Sequence, residues 1–220
     1  MGHVLDRPVW SALTGRQAEL GIGNERARRY RPAINLFAAD AEGTGKGLAE
    51  LCGEGMIGTV EPKPLAGVPG LSLARHATVN QMIAAGSPGP AEVEAVPLGA
   101  ADADEMLALA TLTEPGPFFI ETWRMGHFVG VREGGRLIAM AGQRIRAPGF
   151  TEVSAVCTHP AFRGRGLAGK LMRLVIDRIV GEGDVAFLHV YPDNAGAIGL
   201  YETLGFSFRR QLHFQIWRQS

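Results

Sequence analysis

The clearest chemical signal in the sequence is a basic, glycine-rich turn, Arg163-Gly164-Arg165-Gly166, between an apolar strand pattern and an amphipathic helix pattern. A helix N-terminus carries unpaired backbone N–H groups and about half a positive charge, so it attracts anions. Gly164 and Gly166 let an anion approach the backbone, and Arg163 and Arg165 add positive charge. The turn is therefore predicted to bind a phosphate-containing ligand.

Hydrophobic spacing predicts the elements that hold this turn in place. A buried strand precedes the turn, a helix follows it, and a second apolar run indicates a strand covered on both faces. Strand, helix and strand in this order predict a parallel crossover. The predicted elements are a strand at 153–158, a helix at 167–179, a strand at 185–191, a helix at 195–204 capped by Asn194, and a long half-buried strand from Phe206.

The N-terminal half gives weaker patterns. Short strands are predicted at 56–60 and 71–76, and a short helix is predicted from Thr78. The Gly/Ser/Pro-rich stretch 86–90 has the composition of a domain boundary. We therefore predict an accessory α+β lobe at residues 1–90 and a catalytic domain at residues 91–220, in an α/β chain with a mixed sheet.

Composition limits the classes of partner. Lys plus Arg equals Asp plus Glu at 22 each in 220 residues, which argues against a nucleic acid or an anionic membrane as the partner. No apolar run is long enough to span a bilayer. The two cysteines are far apart, so a reducing cytoplasm is expected. The histidines lack the short paired spacing of a metal site, and no metal is predicted.

Two motifs resemble those of the GNAT superfamily of acyl-CoA-dependent N-acyltransferases over about residues 92–218. Arg163, Gly166 and Ala168 match its phosphate-binding loop, and Asn194, Tyr201 and their neighbours match its second motif. The resemblance implies a mixed, mostly antiparallel sheet whose two central parallel strands splay apart, ending near Thr158 and Tyr191. The N-terminal lobe, outside the matched residues, is predicted to be either an accessory unit or a degenerate copy of the fold.

The resemblance further implies that acetyl-CoA is the co-substrate. Its diphosphate would bind the turn, and its pantetheine arm would pair with the strand backbone before the turn. Asn194 either contacts the coenzyme amides or only caps its helix. The cofactor-binding residues implied are Val156, Cys157, Thr158, Arg163, Gly164, Arg165, Gly166, Leu167, Ala168 and Asn194.

Tyr201 resembles the general acid of this superfamily, which protonates the coenzyme A thiolate as it leaves. Glu152 matches the position of the base in the histone acetyltransferase branch; it is either a base with a raised pKa or a solvated charge at a strand end. His189 and His127 are alternatives to Glu152. Cys157 is not expected to form an acyl-enzyme, because no histidine or aspartate lies nearby in sequence to activate it.

We therefore expect a cytoplasmic enzyme that transfers an acetyl group directly from acetyl-CoA to a primary amine on a small molecule, an amino acid or a protein. The first alternative is a non-catalytic acyl-CoA sensor, and a weaker one is a nucleotide or RNA contact at the turn. The long apolar last strand suits either a homodimer edge or an ordinary core.

Overall fold

The computed structural model describes residues 2–220, which form a mixed α/β structure. In chain order its helices and strands are α1 Pro8–Leu13, β1 Gly21–Gly23, β2 Ala27–Tyr30, β3 Ala38–Asp40, α2 Leu48–Cys52, β4 Met56–Glu61, β5 Leu71–Ala84, β6 Val96–Leu98, α3 Ala103–Thr113, β7 Phe128–Glu133, β8 Arg136–Ala147, β9 Phe150–Thr158, α4 Leu167–Gly181, β10 Val185–Val190, α5 Ala195–Thr203 and β11 Phe206–Gln219. No helix of the described chain is long and apolar enough to cross a membrane.

An eight-stranded sheet organises the fold, with strand order β4-β11-β5-β10-β9-β8-β7-β6. Its strands pair antiparallel except β9 and β10, which run parallel. The β9–β10 pairing stops after Glu152 and Phe187, although β9 continues to Thr158 and β10 to Val190. The central parallel strands therefore splay apart, as the sequence resemblance implied.

Both faces of the sheet are covered. On one face the apolar stripe of α4, including Leu171, Val175 and Ile179, packs against residues of the central strands such as Leu188. On the other face α1 packs beside Phe187 and Phe214 of β10 and β11. Burial on both faces explains why the sequence of the central strand β10 is almost continuously apolar.

The predicted short helix at Thr78 is wrong, because this segment belongs to the 14-residue strand β5. Val79, Met82 and Ile83 have helical spacing, but in β5 they point to both faces of the sheet. Val79 and Ile83 pack in the core on the α1 side, and Met82 packs in the core on the α4 side. A strand buried on both faces therefore imitates a helix pattern.

The sheet crosses the predicted boundary at residue 90. Strand β5 lies between β10 and β11, and strand β4 forms the edge beyond β11. Only a small three-stranded sheet, β1-β2-β3, stands apart from the large sheet. Residues 56–84 are thus part of the central sheet and are not a separate lobe.

The last strand is internal to the sheet over its second half. Strand β11 pairs with β4 on one side and with β5 on the other. Its apolar residues Leu212, Phe214 and Trp217 are buried inside the described chain. The part of β11 from His213 to Arg218 is therefore internal to the sheet, whereas Phe206 to Leu212 pair only with β5, and the homodimer stays a prediction.

Candidate active site

A cleft of about 850 Å³ runs from the splayed end of β9 to the first turn of α4. Every residue for which coenzyme binding was predicted lines it. From the turn and the helix these are Arg163, Gly164, Arg165, Gly166, Leu167 and Ala168; from β9 they are Val156, Cys157 and Thr158; and Asn194 comes from the start of α5. The fold thus brings segments that are about thirty residues apart in sequence to one surface.

The turn before α4 exposes backbone to this cleft. Gly164 and Gly166 have φ values of +80° and +70°, which residues with a side chain rarely adopt. A Cβ atom added at either glycine would meet nothing within 4 Å, so the space in front of the turn is open. The first N–H groups of α4 therefore face an open cavity, which is the geometry of an anion site.

The two arginines of the turn differ in their contacts. The guanidinium of Arg165 donates to Glu133 at 2.7 Å and lies over the ring of Phe162. Arg163 makes only a long contact of 3.5 Å from Nε to the carbonyl of Thr158. Arg163 is therefore the side chain that is freer to turn toward a bound diphosphate.

Strand β9 bends where it leaves β10. Its register with β8 shifts between Ser154 and Cys157, and Ala155 adopts φ +52°, as in a β-bulge. Residues 153–158 keep their pairing with β8 on one side and have no pairing with β10 on the other. This unpaired edge offers backbone donors and acceptors to an extended ligand.

Asn194 caps α5, because its Oδ1 accepts from the N–H of Ala197 at 3.1 Å. The same residue lines both the cleft and the pocket next to it. Capping uses only the carbonyl oxygen of the side chain, so the amide N–H groups remain free. The capping role is observed, and contact with a ligand is compatible with it.

A central pocket of about 290 Å³ continues from the cleft and shares Thr113, Val156, Asn194 and Ala197 with it. Tyr201 reaches this pocket from α5. Its hydroxyl has no hydrogen-bond partner among the described residues, and burial raises its pKa. A partly buried phenol without a protein partner keeps its proton at neutral pH and can donate it to a ligand.

Glu152 differs from both predicted states. Its side chain is fully buried, so it is not a solvated charge at a strand end. Burial alone would raise its pKa, but the charge and hydrogen bonds of Arg144, helped by His189, outweigh this effect and lower the pKa to about 2. The expectation of a raised pKa is therefore wrong.

The carboxylate of Glu152 is also fully occupied. Arg144 donates to it twice, from Nη2 to Oε1 at 2.7 Å and from Nε to Oε2 at 2.9 Å. His189 Nδ1 donates to Oε1 at 2.7 Å, and the backbone N–H of Ile145 donates to Oε2 at 3.3 Å. Four donors fill the acceptor sites of a carboxylate, which leaves none for a substrate proton.

The two histidine alternatives lie in different surroundings. His189 lines the central pocket, but its Nε2 lies 3.1 Å from Nε2 of Gln81. Because Gln81 Oε1 accepts from Arg209, the amide N–H of Gln81 is the group that faces His189. His127 is exposed and contacts Arg178 far from the pocket lining. Neither imidazole offers a free lone pair to the pocket.

The thiol of Cys157 is buried, and burial raises its pKa to about 11. A thiol with this pKa is almost entirely protonated at neutral pH and is a weak nucleophile. This agrees with the expectation that Cys157 does not form an acyl-enzyme.

Comparison with known proteins identifies the family that shares this fold. A solved structure from Novosphingobium aromaticivorans, assigned to the GNAT family of acetyltransferases, superposes with a TM-score of 0.94. The two sequences are 48% identical, and the match covers 100% of both chains. The chain belongs to the GNAT family. Residues 128–215 also match the family described as FR47-like protein.

Curated GNAT relatives match only a part of the chain. N-alpha-acetyltransferase RimI of Mycobacterium tuberculosis is 41% identical over 83 residues, which is 36% of this chain and 51% of RimI. Mycothiol acetyltransferase of Corynebacterium aurimucosum is 39% identical over 74 residues, or 33% of this chain and 24% of that protein. The chain thus matches about half the length of RimI and about a quarter of the second relative.

In this GNAT chain several pocket residues escaped the sequence analysis. Arg144 and Tyr191 line the central pocket, and Arg75 lines the cavity beyond it. Arg75 and Arg144 lie on strands, where a charged side chain in sequence usually indicates a solvent-facing position. The one available signal was Arg144 inside the apolar run of β8, since a buried arginine requires an acidic partner.

Proposed function

We propose that this chain transfers an acetyl group from acetyl-CoA to a primary amine bound in the central pocket. The observation that carries the proposal is the connection between the cleft and the pocket through shared lining residues, with Tyr201 lining the pocket. A coenzyme lying along the cleft would bring its thioester to the same space as an amine in the pocket. Holding both reactants together is the main catalytic contribution expected of such a site.

The cleft residues fit the parts of the coenzyme. The open backbone at Gly164 and Gly166, followed by the N-terminus of α4, suits a diphosphate. The unpaired edge of β9 suits the amide groups of the pantetheine arm, which would add to the sheet like another strand. The volume of about 850 Å³ is sufficient for an elongated ligand of this kind.

Bound acetyl-CoA would supply an activated acetyl thioester. Tyr201 then acts as the proton donor to the departing sulfur. Its raised pKa keeps the phenol protonated through neutral pH, and no protein group competes for its hydrogen. Because the pKa of a free thiol is only about 8.5, the proton assists departure and is not indispensable to it.

None of the base candidates named from the sequence is placed to remove the proton of an ammonium group. Glu152 is saturated and ionised, and His189 faces Gln81. A lysine side chain would need about 4 to 5 kcal/mol to lose its proton at neutral pH, whereas an α-amine near pKa 8 needs only about 1 to 1.5 kcal/mol. We therefore propose an α-amine as the acceptor, taken up in its neutral form. The activity named for the relative RimI, N-alpha-acetylation, supports this proposal.

The test is a thiol-release assay with acetyl-CoA and a panel of amines whose pKa values span about 7.5 to 10.5. Product mass identifies the acetylated nitrogen. We expect acetylation of α-amines, with kcat/KM rising with pH until the acceptor amine is neutral. At equal concentrations of neutral amine, this pH dependence should disappear.

Three results would contradict the proposal in different ways. Tight binding of acetyl-CoA without thiol release for any amine favours the sensor alternative. A rate that follows a protein group, and not the pKa of the acceptor, shows that a base exists in the pocket. A coenzyme affinity weaker than that for ATP or RNA removes the assignment of the cleft itself.

A further inference from the structure

One guanidinium nitrogen of Arg144, Nη1, has no hydrogen bond within the described chain. The residue is buried, with 8% of its surface exposed. Its Nε and Nη2 donate to Glu152, and its guanidinium lies over the ring of Phe37 at 5.1 Å. These contacts fix the plane of the guanidinium. Among the described residues, Nη1 has no hydrogen-bond partner.

The free nitrogen faces the central pocket. Arg144 lines this pocket, and Nη1 lies on the side of Gly116, where an added Cβ atom would be 3.6 Å from it. Gly116 lines both the central pocket and an outer cavity of about 460 Å³. Nη1 is not one of the fully buried side-chain atoms that lack a partner, so its N–H groups are open to the pocket and can donate a charge-assisted hydrogen bond to a ligand oxygen.

Glu152 prevents Arg144 from simply repelling an amine. The ion pair cancels most of the charge of the guanidinium, while the geometry leaves the N–H groups of Nη1 directed outward. The pocket is small, so an oxygen bound to Nη1 must lie close to the reacting amine. Nη1 therefore recognises a polar neighbour of the amine and not the amine itself.

We propose that Arg144 Nη1 donates to an oxygen on the carbon next to the carbon that carries the acceptor amine. The acceptor class is then an α-amino carbonyl compound, either a free amino acid or the N-terminus of a peptide. This inference rests on the proposed acetyl transfer and identifies what the same pocket recognises. Arg75 and Tyr191, stacked at 5.3 Å in the outer cavity, would contact the remainder of the acceptor.

The experiment compares acceptors that do or do not carry an oxygen on the carbon next to the amine-bearing carbon. Alaninamide, alanine and an alanine-initiated tripeptide carry it, isopropylamine lacks it, and β-alaninamide holds it one carbon further away. Initial rates are measured at equal concentrations of neutral amine. We expect kcat/KM to be about 10- to 100-fold lower for isopropylamine than for the best α-amino carbonyl acceptor. The ranking of alanine against the tripeptide distinguishes a free amino acid from a peptide.

Two variants test the role of Arg144. Arg144→Lys keeps a positive charge beside Glu152 but loses the fixed fork, and should reduce the preference for the oxygen to within about 3-fold. Gly116→Ala leaves the ion pair intact and narrows the approach to Nη1, so it should slow alaninamide more than isopropylamine. Gly149→Ala is the matched control, since Gly149 also has a positive φ but lies at the opposite end of β9.

The outcomes separate this inference from the proposed function. Acetylation of isopropylamine as fast as alaninamide overturns the role of Arg144 and leaves acetyl transfer standing. An unchanged preference in both Arg144→Lys and Gly116→Ala overturns it as well. Absence of acetylation for every amine removes the proposed function instead.

Discussion

Two tyrosines show how hydrogen bonding distinguishes a side chain that stabilises the fold from one that is available for catalysis. Tyr30 is fully buried, and its hydroxyl donates to Oε1 of Gln17 at 2.6 Å. Tyr201 is largely buried, but its hydroxyl has no partner in the described chain. A fold without use for the hydroxyl of Tyr201 would be served equally by phenylalanine. The hydroxyl of Tyr201 has no protein partner and is open to the pocket, so it is available to a ligand.

Replacing Tyr201 by phenylalanine removes the proposed proton donor and no protein hydrogen bond. We expect kcat to fall by about 10- to 100-fold, while the affinity for acetyl-CoA and the free energy of unfolding stay nearly unchanged. Steady-state thiol release and chemical denaturation measure the two effects. Wild-type kcat in the variant would show that water protonates the leaving sulfur.

The same substitution at Tyr30 should have the opposite result. Tyr30→Phe removes the buried hydrogen bond to Gln17 and should lower the free energy of unfolding by about 1 to 1.5 kcal/mol. Tyr30 lies outside the cleft and the pocket, so kcat at 25 °C should not change. Equal loss of activity in the two variants would mean that the effect at Tyr201 is only loss of packing.

Glu152 is expected to affect stability in acid. Its pKa of about 2 in the folded chain lies below the ordinary glutamate value, so its contribution to stability is complete above about pH 4.5 and is lost as the pH falls toward 2. The depressed pKa corresponds to roughly 3 kcal/mol at neutral pH. Glu152→Gln should therefore destabilise the chain at pH 7 and show a shallower loss of stability between pH 4.5 and 2.

Denaturation by urea at several pH values measures this effect. Glu121→Gln is a suitable control, because Glu121 also pairs with an arginine, Arg124, but both side chains are 40% exposed. An exposed pair of this kind contributes about 0 to 1 kcal/mol. If Glu152→Gln lost no more stability than Glu121→Gln, the buried network would not hold the folded state together.

At the scale of elements, helix α4 carries the anion site at one end only. Gly166 precedes its first turn with φ +70°, and Gly183 follows its last turn with φ +84°. A Cβ atom at either position would meet no protein atom within 4 Å. The two glycines therefore carry the same conformational constraint, and only Gly166 faces the cleft.

Alanine at these two positions separates coenzyme binding from helix stability. Each substitution should cost about 1 kcal/mol of unfolding free energy from the strained backbone. Gly166→Ala should in addition weaken acetyl-CoA binding by about 10-fold, because the methyl group occupies the space in front of the helix amides. Isothermal titration and thermal denaturation of both variants test this. If Gly166→Ala and Gly183→Ala bound acetyl-CoA with equal affinity, the diphosphate would not bind at the turn.

The parts of the fold that the sequence predicted well are those with local signals. The glycine turn, α4 and the cap at Asn194 follow from residues that lie next to each other, and the structure confirms them. The pairing of β5 with β10 and β11 joins positions more than a hundred residues apart, and no local pattern records it. The prediction for Glu152 failed because its partners come from the two strands beside β9, Arg144 from β8 and His189 from β10, and no local pattern records this pairing.

At the scale of the whole molecule, the N-terminal segment completes the sheet that carries the site. Removing residues 1–85 would delete β5 and leave unpaired edges on both β10 and β11. It would also remove Phe37, Val60 and Val79 from the central pocket. The remaining chain would expose apolar faces of the central strands, which favours aggregation.

We therefore expect residues 86–220 alone to be insoluble or unfolded, and to bind acetyl-CoA more than about 100-fold more weakly than the full chain. Circular dichroism and titration of the purified fragment measure this. Co-expression of residues 1–85 as a separate chain is the control, because β5 then returns to its place between β10 and β11 and should restore both solubility and binding. A soluble fragment with full coenzyme affinity would show that the sheet closes without β5, and that residues 1–85 act only as an accessory unit.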